Sequence, residues 1–233
     1  MNEALSFRES AAALERSIRG NPMIRVVNFH NTPRARVSEY RQQLSRLIST
    51  FSSVNEAELD QYLSSGRWPK AKPGVIVAIY EGYRNGFDVL LPLLEEVGLV
   101  GWFCVITGFL KAPPSDQLAF AEAHDIGMQT REYADGRYAL SWDELREIDR
   151  RHVVVSHARS HVLLASLTDP ERESEIVGSQ RDLQEHLGHS VRSFVSYGGP
   201  AYGTDPATDQ LIHTAGYQFV ISNLKIQRIR RSG

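Results

Sequence analysis

The stretch Val153-Val154-Val155-Ser156-His157-Ala158-Arg159-Ser160-His161 joins a short β-branched run to two histidines placed four residues apart. A run of this length and composition predicts a buried β-strand. On a helical turn, residues four apart share one face, with about 6 Å between their Cβ atoms. Two metal–nitrogen bonds of about 2.0–2.1 Å bridge such a span. The stretch therefore predicts a strand that ends at a candidate metal site, with two solvated loop histidines as the alternative.

Similar apolar runs recur along the chain, and helical patterns separate them. Besides Val153–Val155, strands are predicted at Met23–His30, Val75–Tyr80, Val100–Ile106, Ile126–Thr130, Val191–Ser196 and Gln218–Ser222. Apolar periodicity with start and stop signals predicts helices over 37–51, 56–63, 87–97, 116–124, 142–150, 169–187 and 205–215. This alternation predicts an α/β fold with parallel strands, because helices must cover strands that are apolar on both faces.

The composition is that of one globular α/β domain. The chain has 233 residues, of which 42% are hydrophobic and 23% charged, as in ordinary globular proteins and single-domain barrels. A net charge of −2 gives no reason to expect nucleic acid or an anionic membrane as a partner. No apolar run approaches the roughly 20 residues of a membrane span.

Residues 1–22 predict an N-terminal helical extension, with a helix over Glu3–Ile18, ahead of one domain over 23–233. The extension lacks the basic segment followed by an apolar segment that marks a secretory signal, so the expected location is cytoplasmic. The one cysteine, Cys104, lies in the apolar run Gly101–Ile106. This position predicts a buried thiol that takes no part in chemistry.

Polar residues follow several predicted strands at their carboxyl ends, where ligands bind in parallel α/β folds. These residues are His30, Glu81, Thr107, His157 and Tyr197. Glu81 is the best candidate for a third metal ligand, since two histidines and one carboxylate form a hydrolytic zinc set with an open position for water. Gly82 lets the backbone turn sharply after it. The alternative for Glu81 is an ion pair with a neighbouring arginine such as Arg84.

The order and spacing of several segments resemble the polysaccharide deacetylases, the NodB-homology family of carbohydrate esterases. The segments are Phe29-His30, Ala78-Ile79-Tyr80-Glu81-Gly82-Tyr83, Leu91-Pro92-Leu93-Leu94, Trp102-Phe103, Leu140–Leu145, His157-Ala158-Arg159-Ser160-His161 and Phe194–Gly199. They stand where the family has its Y-H pair, its T-F-D-D-G motif, its P-L-L helix, an aromatic strand, its L-T/S-W-x-E-L helix start, its H-[S/T]-x-x-H motif and its F-x-Y-P-Y-G motif. The resemblance covers about Arg25 to Arg231.

The resemblance implies a distorted (β/α) barrel of the polysaccharide-deacetylase type, a single domain over 23–233. It also implies a divalent metal, most commonly zinc, and hydrolysis of acetyl groups on sugars. In the family the metal polarises the acetyl carbonyl and acidifies a bound water, and an aspartate beside the metal ligand takes the proton of that water.

The chain departs from the family where that aspartate is expected, because the first D of the motif falls on Tyr80. An unperturbed tyrosine has a pKa near 10 and is a poor base at pH 7. The second D falls on Glu81, which keeps the carboxylate on a side chain about 1.5 Å longer. The late Leu-x-His motif has no counterpart in Ile221–Gly233, which contains no histidine.

Three sets of site residues follow. The predicted metal ligands are Glu81, His157 and His161; the predicted catalytic residues are His30 and Glu81; the predicted substrate-binding residues are Tyr80, Tyr197 and Gly198. His30 is a base or a substrate contact, and Tyr80 is a pocket wall more than a catalyst. The alternatives are a satisfied histidine at a strand end for His30 and an ordinary turn for the glycine-rich loop.

Two functional hypotheses remain open at this point. The first is a metal-dependent hydrolase that removes an acetyl group from an N-acetylated sugar or related small molecule, with an altered base. The second is an inactive deacetylase-like barrel that binds carbohydrate or regulates, which Tyr80 and the altered late motifs favour. Metal content separates the two, and the sequence determines neither the sugar nor the oligomeric state.

Overall fold

The computed structural model describes residues 24–223 and 225–229. The predicted extension over 1–22, with its helix over Glu3–Ile18, lies outside the described residues. So do the last residues of the predicted domain, 230–233.

The described chain forms one eight-stranded sheet. Its strands are β1 (Ile24–Phe29), β2 (Ser52–Ser53), β3 (Gly74–Ile79), β4 (Gly101–Val105), β5 (Val153–Ser156), β6 (Ser193–Val195), β7 (Phe219–Ile221) and β8 (Ile226–Arg228). The spatial order is β1-β3-β4-β5-β6-β7-β8, with β2 paired to the start of β3. All pairs are parallel except β7–β8. Within the described residues the pairing does not return from β8 to β1, which confirms the predicted distorted barrel.

Helices pack around the sheet, most of them on its outer face, while Leu59 of the second helix packs with the residues inside the barrel. The helices are α1 (Val37–Thr50), α2 (Glu56–Ser65), α3 (Leu91–Val97), α4 (Thr107–Lys111), α5 (Gln117–Ala123), α6 (Trp142–Asp149), α7 (Asp169–Leu187) and α8 (Pro206–Thr214). The predicted capping box at the start of α6 is present, since Ser141 Oγ accepts from the Glu144 amide at 3.2 Å and the Glu144 carboxylate accepts from the Ser141 amide at 2.8 Å. Glycines in the left-handed conformation end α2, α3 and α7.

Alternate residues of the central strands enter two separate cores. One set fills the barrel: Ile76, Ala78, Trp102, Cys104, Val155, Val195, Phe219 and Ile221. The other set packs against the helices and includes Val75, Val77, Ile79, Phe103, Val105 and Val154. This two-residue period explains why the strands are apolar on both faces. Cys104 is fully buried inside the barrel, which confirms the predicted burial, and burial raises the pKa of its thiol.

One predicted element is wrong in type. The stretch Ile126–Thr130 is irregular and not a strand. Two of its carbonyls accept hydrogen bonds from side chains and not from a neighbouring strand. Tyr83 Oη donates to the Gly127 carbonyl at 2.7 Å, and Tyr138 Oη donates to the Thr130 carbonyl at 2.5 Å. The predicted helix over 87–97 is confirmed; its first part is one π-helical turn, Gly86–Leu90, which is followed directly by α3.

Five short elements are absent from the sequence-based assignment: β2, β8, α4 and the two 3₁₀ helices, Arg34–Arg36 and Leu164–Ser166. Each is five residues long or shorter, so periodicity has too few positions to reveal it. No helix among the described residues is long and apolar enough to cross a membrane.

Candidate metal centre and active site

The two histidines of the opening stretch lie on a tight turn that follows β5. Ala158 (φ 59°) and His161 (φ 48°) both have left-handed backbone conformations, which are costly for residues other than glycine. Both histidines are buried, with 3% of His157 and 9% of His161 exposed. Their rings are 5.2 Å apart, edge to face. The predicted convergence of the two imidazoles is therefore present in the fold.

Hydrogen bonds to backbone carbonyls determine which nitrogen of each ring faces the site. His157 Nδ1 lies 3.0 Å from the Val195 carbonyl, and His161 Nδ1 lies 2.9 Å from the His124 carbonyl. A carbonyl only accepts, so Nδ1 carries the proton in both rings and Nε2 has the free lone pair. Burial lowers the pKa of His157 to about 4, despite the favourable effect of the Glu81 charge, so this ring is neutral at pH 7.

Glu81 reaches the same point from the end of β3. Its backbone is left-handed (φ 67°), as is that of Gly82 (φ 84°). A Cβ on Gly82 would lie 2.8 Å from Leu110 Cδ1, so the turn requires glycine both for its backbone and for space. The side chain of Glu81 is 5% exposed, and its Oε1 lies 3.8 Å from His161 Nε2. The sharp turn expected after this strand is therefore present.

Glu81, His157 and His161 each offer one ligand atom within 4.8 Å of the other two. This spacing is comparable to the sum of two metal–ligand bonds of about 2.0–2.1 Å each. Two imidazoles whose Nδ1 atoms are held by backbone carbonyls, together with one carboxylate, match the donor set of catalytic zinc sites. The Nδ1–carbonyl bonds are the outer-shell contacts that such ligands usually make. The donor chemistry of the three residues therefore fits a divalent metal.

His30 and Tyr80 form the opposite wall of the site. His30 Nδ1 lies 3.0 Å from both oxygens of Glu81, and 59% of the His30 side chain is exposed. The hydrogen bond to Glu81 raises the pKa of His30, partly opposed by burial. The Tyr80 ring stacks on His30 at 5.1 Å and meets His157 edge-on at 5.3 Å. Burial raises the pKa of Tyr80 far above its usual value, so its hydroxyl stays protonated.

The glycine-rich loop after β6 forms the third side. Tyr197 packs its ring 4.1 Å from the His161 ring, and its Oη donates to Asp125 Oδ2 at 3.1 Å. Gly198 has φ 76°, and a Cβ there would lie 2.8 Å from Leu163 Cδ2. Asp125 is left-handed as well, with φ 54°. All four left-handed residues other than glycine in the described chain thus line or adjoin the site, where strained backbone commonly accompanies function.

These walls enclose a cavity of about 520 Å³, within the usual range for small-molecule sites. Every predicted site residue lines it: His30, Tyr80, Glu81, His157, His161, Tyr197 and Gly198. The alternative partner for Glu81 is excluded, because Arg84 pairs with Asp88 at 3.2 Å and with Asp135 at 2.8 Å.

The sequence did not predict several other lining residues: Asn28, Asn31, Tyr83, Asp125, Gly127, Val195, Ser196, Gly199 and Asn223. Most follow or end a strand, and position at a strand end is the signal that identifies Asn31 and Ser196 in retrospect. Asp125 gives no such signal, because the end of α5 brings it to the site.

A comparison with protein-family models matches residues 69–220 to the polysaccharide deacetylase family, which is more than half of the chain. The chain therefore belongs to the polysaccharide deacetylase family, whose members are hydrolases that act on carbon–nitrogen bonds other than peptide bonds. This confirms the predicted family and class of enzyme. No curated protein matches the sequence.

Solved structures agree on the fold. A deacetylase from Streptococcus pyogenes, PplD in complex with acetate, is 16% identical with a TM-score of 0.65, over 88% of this chain and 85% of that chain. IcaB from Ammonifex degensii is 21% identical with a TM-score of 0.64, over 86% and 83%. A de-N-acetylase from Aggregatibacter actinomycetemcomitans is 14% identical with a TM-score of 0.64, over 89% and 91%. At these identities the likeness supports the barrel fold alone.

Proposed function

We propose that the protein is a zinc-dependent deacetylase that removes the acetyl group from an N-acetylated sugar. The observation that carries the proposal is the convergence of Glu81, His157 and His161 within 4.8 Å at the base of a cavity of about 520 Å³. The Nδ1 atoms of both histidines are engaged by backbone carbonyls, so the Nε2 atom of each ring is the one available to a metal.

In this proposal Glu81, His157 and His161 hold the metal. When bound, a zinc ion polarises the acetyl carbonyl and lowers the pKa of water. With three protein ligands, such a site would keep a position open for water or substrate, as catalytic zinc sites do. His157 and His161 would act as ligands and would not exchange protons, because their Nδ1 protons are donated to backbone carbonyls.

Proton transfer falls to His30, assisted by Glu81. Tyr80 occupies the place of the family's aspartate base and cannot accept a proton, since burial keeps its hydroxyl protonated. His30 is the exposed titratable ring beside the ligand set, and its Nδ1 is 3.0 Å from both Glu81 oxygens. Its Nε2 is then the atom that exchanges a proton with water or with the leaving amine. General acid–base assistance of this kind contributes about 10²–10⁴ in rate.

The cavity lining supports a neutral sugar substrate. Its charged carboxylates are Glu81 and Asp125, and no lysine or arginine is found among its described lining residues. Amides, hydroxyls and tyrosine rings supply the remaining polar contacts, with Asn28, Asn31 and Tyr197 among them. Such groups suit hydroxyl and acetamido substituents, whereas a phosphate or sulfate would lack a cationic partner.

The test is acetate release from N-acetylated oligosaccharides by the full chain. We expect release by the zinc-loaded protein, loss after treatment with a chelator, and recovery when zinc is added back. A metal-loaded chain that binds the oligosaccharide without releasing acetate would favour the non-catalytic, carbohydrate-binding alternative instead.

A further inference from the structure

A buried carboxylate on α7 holds the backbone between the two histidines. Glu175 is 8% exposed. Its Oε2 accepts from the Arg159 amide at 2.8 Å and from the Ser160 amide at 2.9 Å. Its Oε1 accepts from the Ser160 hydroxyl. A single side chain thus satisfies three donors in the turn that runs from His157 to His161.

A second carboxylate on α7 fixes the side chain of the same turn. Asp182 is 3% exposed and pairs with the Arg159 guanidinium through two bonds, Nε to Oδ2 at 2.9 Å and Nη2 to Oδ1 at 2.8 Å. Thr107 Oγ1 and Lys111 Nζ donate to it as well, at 2.9 and 2.5 Å. A Cβ on Gly178 would lie 2.4 Å from Arg159 Cζ, so the missing side chain makes room for the guanidinium against α7.

The start of α4 holds the turn from the other side. The Thr107 amide donates to the Ala158 carbonyl at 3.1 Å, and the Gly108 amide donates to the Arg159 carbonyl at 2.9 Å. The turn is therefore held on both sides through backbone atoms of Ala158, Arg159 and Ser160. Left-handed Ala158 and His161 adopt a conformation that the chain does not favour by itself, so these contacts must maintain it.

We propose that Glu175 is a positioning residue that sets the geometry of His157 and His161 and thereby the affinity of the site for zinc, with Asp182 fixing the Arg159 side chain of the same turn. This inference rests on the proposed function, because it assigns the outer support of the same metal site. Neither carboxylate lines the cavity, so neither touches the substrate. Outer-shell partners of metal ligands are worth about 10–100-fold in metal affinity.

The test is the zinc dissociation constant of the full chain, measured by competition with a chromophoric chelator. Glu175→Ala removes the acceptor of three donors, and we expect zinc binding weaker by about 10–100-fold. Glu175→Gln keeps an oxygen for the two amides, so its affinity should stay close to wild type. The matched control is Glu173→Ala, an exposed glutamate on the same helix, which should bind zinc like wild type.

Circular dichroism of the metal-free variants shows whether each is folded at the temperature of the titration. If Glu175→Ala does not fold, Ser160→Ala replaces it, because it removes only the hydroxyl bond to Glu175. The expected loss in zinc affinity is then about two- to tenfold.

A folded Glu175→Ala that binds zinc like wild type would overturn the positioning inference alone, as would unchanged affinity in Ser160→Ala. A wild-type chain that binds no zinc would overturn the proposed function and, with it, this inference. The two failures are therefore distinguishable in one experiment.

Discussion

Backbone carbonyls orient the rings of His157 and His161, and Glu175 and Asp182 brace the turn between them. The other half of the site is held less firmly. His30 and Tyr80 stack on each other, and His30 has Glu81 as its polar partner within the site. The first half contains the histidine pair that resembles the family's motif, while the second has Tyr80 where the resemblance places an aspartate. The two halves of the site therefore differ in how firmly their side chains are held, and we expect them to differ in their roles.

Removing a ligand from the firmly held half should have the largest effect. His157→Ala should lower acetate release by at least about 10³-fold, because the metal supplies several kcal/mol of transition-state stabilisation. His213→Ala, at a half-buried histidine of α8 outside the cavity lining, is the control and should retain activity. If His157→Ala released acetate near the wild-type rate, catalysis would not depend on the half of the site that contains His157 and His161.

A substitution in the loosely held half of the site should lower the rate of acetate release without weakening zinc binding. His30→Ala should lower kcat by about 10²-fold, the lower end of the range for general acid–base catalysis, while zinc affinity stays close to wild type. His189→Ala is the matched control, since His189 is an exposed histidine that pairs with a carboxylate, Asp149, at 2.7 Å. Equal loss of zinc and rate in His30→Ala would instead make His30 a ligand.

An aspartate at position 80, where the family has one, should increase the difference between the roles of the two halves of the site. Tyr80→Asp should raise the rate of acetate release about tenfold, below the 10²–10⁴ of an optimised base because no group orients the new carboxylate. Tyr80→Phe should change the rate little, because the tyrosine hydroxyl stays protonated and serves as neither acid nor base. A flat response to Tyr80→Asp would contradict the alignment of Tyr80 with the family's aspartate.

Asp182, which braces the turn between the two histidines, should contribute to the free energy of unfolding. Burial opposes ionisation of Asp182, but hydrogen bonds from Arg159, Lys111 and Thr107 outweigh it and lower its pKa. The depressed pKa adds stability that is fully present above the unfolded value of about 3.9 and is lost as the pH falls through the folded value. Asp182→Asn should therefore lower the free energy of unfolding at pH 7 by about 1.5–3 kcal/mol.

Urea unfolding of metal-free protein from pH 7 to pH 3 measures this effect. The difference between wild type and Asp182→Asn should be constant above about pH 5 and should shrink below about pH 4. Asp143→Asn, at an exposed aspartate that also pairs with an arginine, should change stability by less than about 1 kcal/mol. A difference that does not vary with pH would contradict the account of Asp182.

The sequence predicts the parts of this molecule that depend on local patterns. The β-branched runs at 75–79 and 153–155 identify two central strands, and polar residues after those runs identify Glu81 and His157. Parallel strands bring their carboxyl ends to one edge, so the ligand set follows from strand order and chemistry together. The capping box at Ser141 is likewise local, and the structure contains it.

The rest depends on contacts between distant residues. Asp125 meets Tyr197 across 72 positions, and Glu175 meets the histidine turn across 15 or more. No local sequence pattern distinguishes Asp125 or Glu175 from other carboxylates. Each lies on or beside a helix with a polar outer face, where acidic residues are ordinary. The irregular stretch 126–130 resembles a strand in its local sequence, but its carbonyls accept hydrogen bonds from the side chains of Asn31, Tyr83 and Tyr138.

In the proposed site, Glu81, His157 and His161 together hold one zinc ion. The most direct measurement is the zinc bound per chain, by elemental analysis after equilibrium dialysis, for wild type, Glu81→Ala, His157→Ala and the control His213→Ala. We expect one ion per chain in wild type and in His213→Ala, and none in the two ligand variants. Wild-type protein without zinc, or full occupancy in Glu81→Ala and His157→Ala, would contradict the proposed site.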